Sequence, residues 1–356
     1  MADLTGAFAC DADRPPYRGG GRGGGGDSDG GGDERGDDRA QLVLVAGLAL
    51  AVVLVALVLL TNTAIYTENL ATRDNGVGER DALGYRASVV DGVGGIVDRE
   101  NAAEYDDPAD VRENVSDGVA ELDVALRGSA ARSAASARVN RSAATYVEGV
   151  LVRHRNDSRE FTSAAETADW TIAYDTNRTR AFAATVERSS LASTNDSALD
   201  GAFTVEVAAN SSADTWAAFV YRNQSTGDIA VATSPAGGTG ATEVCSVDAP
   251  NATVGFTTGT LAGEECPGLD WREGIDSSYD LSFRNGTNAA GTYDMTVRGT
   301  TGLLNLVTLN DGTVTDDPDS PYHVPAVYAV EVPIRYETNE LTYRADVRVA
   351  PGEHDD

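Results

Sequence analysis

The chain has 356 residues, with 56 acidic and 27 basic side chains, and a formal charge of -29 at pH 7. Every basic side chain counted there is arginine, because the sequence contains no lysine. That excludes a Walker-type phosphate loop, a pyridoxal Schiff base and any lysine nucleophile, since each needs an ε-amine. The negative surplus excludes electrostatic nucleic-acid binding, which needs a basic footprint.

Residues 1–40 are Gly, Asp and Arg with almost no apolar content, and read as a disordered lead-in. Residues 42–60 then run without one polar side chain. As a helix they span about 28 Å, the hydrocarbon thickness of a bilayer, and a core helix would show a polar face. A single transmembrane helix is expected. Arg35 and Arg39 precede it, whereas residues 61–69 carry no basic side chain and include Glu68. The positive-inside rule therefore places the N-terminus in the cytoplasm and residues 61–356 outside.

Beyond the membrane, Ala82, Tyr85, Val89, Val93 and Ile96 recur at helical steps between Glu79 and Tyr105, although Gly92, Gly94 and Gly95 weaken that helix. Asp107 and Pro108 are placed to cap and open a second helix. Its stripe is Val111, Val115, Val119, Leu122 and Leu126, and the spacing extends it through Tyr146, Val150 and Leu151. The two helices suggest a hairpin stem.

After about Glu160 the period falls to two. Trp216–Tyr221 and Asp228–Thr233 flank a turn at residues 223–227 and read as a hairpin. Residues 281–283 and 293–297 flank a second Gly/Asn-rich turn. In the last pair, Val330, Val332, Ile334 and Tyr336 alternate with Glu331, Pro333, Arg335 and Glu337. Leu341 to Val349 alternate likewise, as an antiparallel sheet with one wet face requires. Pro333 lacks a backbone donor, which predicts an edge strand.

Nine asparagines open Asn-x-Ser/Thr sequons: Asn114, Asn140, Asn156, Asn177, Asn195, Asn210, Asn223, Asn251 and Asn285. Composition alone predicts roughly three, so the excess supports an external, glycosylated region. Cys245 and Cys266 share one turn-rich region, where a disulfide is permitted outside the cell. No His-Glu-x-x-His, Cys-x-x-Cys or Gly-x-Ser-x-Gly motif occurs. His154, flanked by Arg153 and Arg155, reads as a solvated helix end; His323 is isolated and His354 lies in the acidic tail. Asp311, Asp316, Asp317 and Asp319 offer oxygens for calcium, but without EF-hand spacing. Nothing selects a carboxylate pair for hydrolysis.

The segment Asp38-Arg39-Ala40-Gln41-Leu42 steps from a charged pair through a small residue into the apolar run. It resembles the class III signal of archaeal type IV prepilins. That resemblance implies cleavage by a prepilin peptidase between Ala40 and Gln41, and a retained helix that packs with those of other pilin-like subunits. The acidic, lysine-free composition and the segment Thr61 to Asn69 are also similar to uncharacterised haloarchaeal membrane proteins. At molar salt the Debye length is about 3 Å, so dense surface carboxylates repel one another little.

The expected fold class is therefore α+β, organised as a leader (1–40), a membrane helix with its extension (41–75), a helical stem (76–157), a β-rich antiparallel external domain (158–352) and an acidic tail (353–356). The expected function is non-enzymatic, as a pilin-like or cell-surface assembly subunit. The alternative is a membrane-anchored extracellular binding module. The expected partners are membrane lipid, prepilin peptidase and pilin-like subunits, with no nucleic acid, cofactor or metal.

Overall fold

The computed structural model describes residues 78–299, apart from 196, 239, 270, 273, 276 and 277, together with 308–309 and 319–353. The leader, the Ala40–Gln41 junction, the apolar run 42–60, Asp311, Asp316, Asp317 and His354 lie outside these. Among the described residues no helix is long and apolar enough to cross a membrane.

Two helices come first, α1 (78–102) and α2 (Pro108–Arg132). Asp107 caps α2 by accepting from the Ala109 amide at 2.8 Å, and Pro108 occupies the first turn, where a missing N–H costs nothing. The stripes predicted for both helices are buried in one core: Val89, Val93 and Val97 meet Val111, Val115 and Val119. Burying each contributes on the order of 1.5–3 kcal/mol. The glycines that count against α1 as an isolated helix serve its packing. A Cβ on Gly92 would stand 2.7 Å from Leu122 Cδ1, and one on Gly118 2.7 Å from Ile96 Cγ2. Small residues at both places let the helices approach closely.

Sixteen strands follow among the described residues. They are β1 (Ser136–Val139), β2 (Thr145–His154), β3 (Trp170–Glu187), β4 (Ser193–Thr194), β5 (Phe203–Ala209), β6 (Thr215–Asn223), β7 (Ile229–Ser234) and β8 (Thr242–Val247). Then come β9 (Asn251–Gly255), β10 (Thr260–Leu261), β11 (Glu264–Glu265), β12 (Tyr279–Arg284), β13 (Gly291–Gly299), β14 (Thr308–Leu309), β15 (Tyr322–Glu337) and β16 (Thr342–Val349). The main path runs β1-β15-β2-β13-β3-β12-β5-β6-β7-β8, with β16 beside β15. Every pairing is antiparallel except β4 with β6. The class is α+β with a β-rich antiparallel sheet.

The hairpins β6–β7 and β15–β16 stand where the alternation predicts them. Four expectations change. First, α2 ends at Arg132, and Tyr146, Val150 and Leu151 belong to strand β2 instead of a continuing helix. Their spacing suits a helical face; pairing with β15 and β13 on both sides overrides it and decides for the strand. Second, the helices are not a separate stem. They share one core with Val332, Ile334, Tyr336, Val347 and Val349 of β15 and β16, so the boundary at 157 falls inside a compact unit. Third, β12 and β13 do not pair with each other, because β3 lies between them.

Fourth, Pro333 is not on an edge strand. β16 pairs β15 along one side, while β1 and β2 share the other. The Asn140 amide donates to the Pro333 carbonyl at 2.9 Å, so the ring nitrogen faces the same side, at the gap between β1 and β2. The missing donor falls where the ladder is already interrupted.

Strand β3 organises the larger core, in which Phe161, Phe203, Phe283 and Tyr293 make edge and stacked contacts. Its register slips near Asp175 and Ala181, both at positive φ. At the second slip the Ala181 amide donates to the Gly352 carbonyl at 2.7 Å, and the chain end after β16 lies against the bulge.

Candidate functional site

A cleft of about 750 Å³ opens between α1 and the end of β16, lined by Arg86, Asp91, Asp98, Arg348 and Glu353 with Gly94 and Gly95. Arg180 of β3 stands behind it. Its side chain is 1% exposed and donates to Pro351 O at 2.8 Å, Val327 O at 3.0 Å and Asp98 Oδ1 at 3.3 Å. Asn101 of α1 holds the same Val327 peptide through both its N–H and its carbonyl. Glu353 accepts from Arg348, Arg178 and the Tyr328 hydroxyl. Burial pushes the Glu353 carboxyl up, but the hydrogen bonds from Arg348 and Tyr328 outweigh it and hold the group below its ordinary value. Much of the charge around this cleft is therefore spent inside the fold, tying α1, β3, β15 and the chain end together. Its lining contains no histidine, cysteine or serine.

A second hub lies at the turn after α1. Glu104, at φ 57°, accepts from Arg153, Arg155 and the Tyr322 hydroxyl, and Arg153 also reaches Asp294. Between those two arginines sits His154, and here the sequence expectation fails. His154 is 1% exposed and lies tilted against Tyr293, with ring centroids 5.9 Å apart. Alternation along β2 turns His154 into the core and Arg153 to the other face, where Glu104 and Asp294 hold it at 11% exposure. Burial, helped by the Arg159 charge, pushes its pKa down to about 4, so the ring is neutral. His323 in β15 is half-buried, and burial lowers it too.

The open arginine face is the third feature. Register places Arg138 of β1 opposite Arg335 of β15, and Arg335 opposite Arg344 of β16. All three are exposed and line a hollow of about 490 Å³ with Asn140, Pro333 and Asp346. Alternate residues of the same strands, Ala137, Val139, Ile334 and Tyr336, point into the helix-covered core. Like charges directly opposite on adjacent strands oppose folding. Arg335 bonds to Glu337, while Arg138 and Arg344 have no ion pair with a described residue. In this row three arginines stand side by side on an open face, which can receive planar oxyanions.

The structure scatters the sequence-predicted sites instead of converging them. Cys245 and Cys266 are joined, with Cα atoms 5.5 Å apart. Among the described residues no group of carboxylates, histidines and cysteines is arranged to hold a metal. Asp319, the described member of the acidic cluster, lies near His154.

The nine sequons divide by what the amide is doing. Asn285, in a left-handed turn, donates to both Asp200 O and Ala202 O at 2.9 Å. Asn223 donates to Glu243, Asn251 to Glu187, Asn114 to Asp110 O, and Asn210 to Asp175 and Ser278. Asn177 lies within β3 with its side-chain oxygen buried. By contrast Asn140, Asn156 and Asn195 sit in turns and accept from the hydroxyls of Ser142, Ser158 and Ser197 at 3.1, 2.8 and 2.6 Å.

Sequence reasoning missed Arg180, Asn101 and Glu104. One signal was available for Arg180: its strand alternation continues to Phe182, Ala184 and Val186, all buried. Comparison with protein families, curated proteins and solved structures returns no match to this chain.

Proposed function

We propose that this chain is a single-pass membrane protein of the cell surface, whose external α+β unit serves assembly and not catalysis. The reading keeps the membrane helix at 42–60, the prepilin-like junction Ala40–Gln41, and the placement of residues 61–356 outside. One observation carries it. The chain that leaves the apolar run enters the fold through α1, which is part of the sheet's own core, with Tyr85 against Tyr336 and Val89 and Val93 fully buried. The Cys245–Cys266 bridge suits an oxidising exterior.

Mass spectrometry of the membrane fraction tests this reading. A mature N-terminus at Gln41 that disappears without prepilin peptidase supports it, as does blocked processing in Ala40→Leu. An intact Met1, or Trp271 and Tyr343 peptides resistant to protease on whole cells, counts against it. The second reading, an anchored extracellular binding module, is favoured by the open arginine face.

A further inference from the structure

We propose that the Arg138–Arg335–Arg344 row is one half of a head-to-tail contact between copies of this chain. The other half is a stripe of carboxylates on α2. The proposal deepens the assembly reading and rests on it.

Asp110, Glu113, Asp117 and Glu121 are all exposed on α2. Steps of three, four and four residues place them on one helical face. Val111, Val115, Gly118 and Val119, which α2 buries, occupy the opposite face. The stripe therefore points away from the sheet. Of the four, Asp117 already accepts from Arg141 at 3.1 Å, and it is still 67% exposed.

The two features lie on opposite sides of one layer. α2 packs on β1 and β15 through Ala137, Val139, Ile334 and Tyr336. The arginines leave the same strands from the other side. A two-fold axis through the row would set arginine against arginine and is opposed by charge, and with row and stripe on opposite sides of the layer one partner cannot cover both. Row against stripe is heterologous, and a heterologous contact that does not close generates an open series. Adjacent strands place the arginine backbones about 5 Å apart, and successive stripe residues are spaced by about 4.5–6 Å along the helix. Arg138 and Arg344 can then each take a carboxylate in fork geometry.

The row's own acids fill only its centre and leave Arg138 and Arg344 without an ion pair among the described residues. Glu337 is bonded to Arg335 and Thr342, and Asp346 stands two residues from Arg344 without an ion pair to it. The chain's charge of -29 makes copies repel at long range. Salt screens that repulsion beyond a Debye length of about 3 Å at 1 M, while bonded pairs at contact survive better. Association should therefore rise between low and molar salt.

The test uses the full-length chain in detergent at molar salt, with assembly size read by sedimentation and electron microscopy. Arg138→Glu with Arg344→Glu should weaken association at least tenfold, and so should Glu113→Arg with Glu121→Arg. All four together should restore it. Arg344→Cys mixed with Glu113→Cys should give an intermolecular disulfide. The exposed positions leave the fold intact, which circular dichroism checks. Arginine variants that are cut at Gln41 and assemble like the unmodified chain overturn this contact and leave the assembly reading standing. An unmodified chain that keeps Met1 and stays dispersed overturns both. If the arginine variants lose binding to dextran sulfate or to anionic vesicles while assembly is unchanged, the row serves a different anionic partner and the contact is wrong.

Discussion

Arg180 and Val327 are 147 residues apart in sequence, yet the guanidinium of one donates to the carbonyl of the other at 3.0 Å. Asn101 brackets the same peptide from α1, and Arg180 also holds Pro351 O at 2.8 Å. One buried cation thus joins helix, two strands and the chain end. Replacing Arg180 with Met keeps most of the volume but removes every donor. The expected loss is about 3–4 kcal/mol, from the stranded Pro351 carbonyl, the lost bond to Val327 and the broken Asp98 pair. A guanidinium chloride titration reads it as a lowered midpoint at unchanged slope. An unchanged midpoint would show that the hub is dispensable.

His154 makes stability depend on pH. Its folded pKa of about 4 lies below its ordinary 6.5, so the unfolded chain binds more protons between those values. The contribution of the neutral ring is complete above pH 6.5 and is lost as pH falls towards 4. Roughly 2 kcal/mol should disappear across that window. His154→Phe, which keeps a ring beside Tyr293, should flatten the difference when thermal midpoints are compared at pH 7.5 and 4.5. Equal slopes in both proteins would contradict this.

Cys245 and Cys266, 21 residues apart, tie β8 to the turn after β11. Closing a loop of that length limits the unfolded chain and stabilises by roughly 3 kcal/mol. Cys245→Ser with Cys266→Ser should lower the melting temperature, and reductant should then have no further effect. A variant that melts with the unmodified chain would argue against the bridge.

Glycan occupancy should follow the amide's hydrogen bonds. The nitrogens of Asn140, Asn156 and Asn195 are available in turns, whereas Asn285 spends both amide hydrogens on Asp200 and Ala202. Site-resolved mass spectrometry of the membrane-extracted chain should find sugar on the first three and none on Asn285. Asn285→Ala should cost about 2 kcal/mol by stranding two carbonyls, while Asn156→Gln should change stability by under about 0.5 kcal/mol. Sugar on Asn285 would refute the sorting.

Elements with a repeated local signal were legible. Asp107 and Pro108 mark the start of α2, and the alternations from Val330 to Val349 mark β15 and β16, because capping and period act within a few residues. Tyr146, Val150 and Leu151 were misread because their spacing is helical, and only the neighbours β15 and β13 select the strand. His154 was misread as well, since two flanking arginines look solvated whichever way the middle residue turns. Of the candidate site, Arg335 and Arg344 were visible as members of a wet face. That Arg138 stands beside them was not.

Sequence alone determined the acidic, lysine-free composition, the apolar run at 42–60, the sequons, and which segments favour helix or strand. These are properties of single residues and their near neighbours. Tertiary structure alone decided that three arginines share a row, that Arg180 is buried among carbonyls, and that the glycines of α1 face Leu122 and Val349. Those are matters of register and approach between segments as far apart as Gly94 and Val349, where many alignments satisfy the local pattern and only close packing of the whole unit selects one.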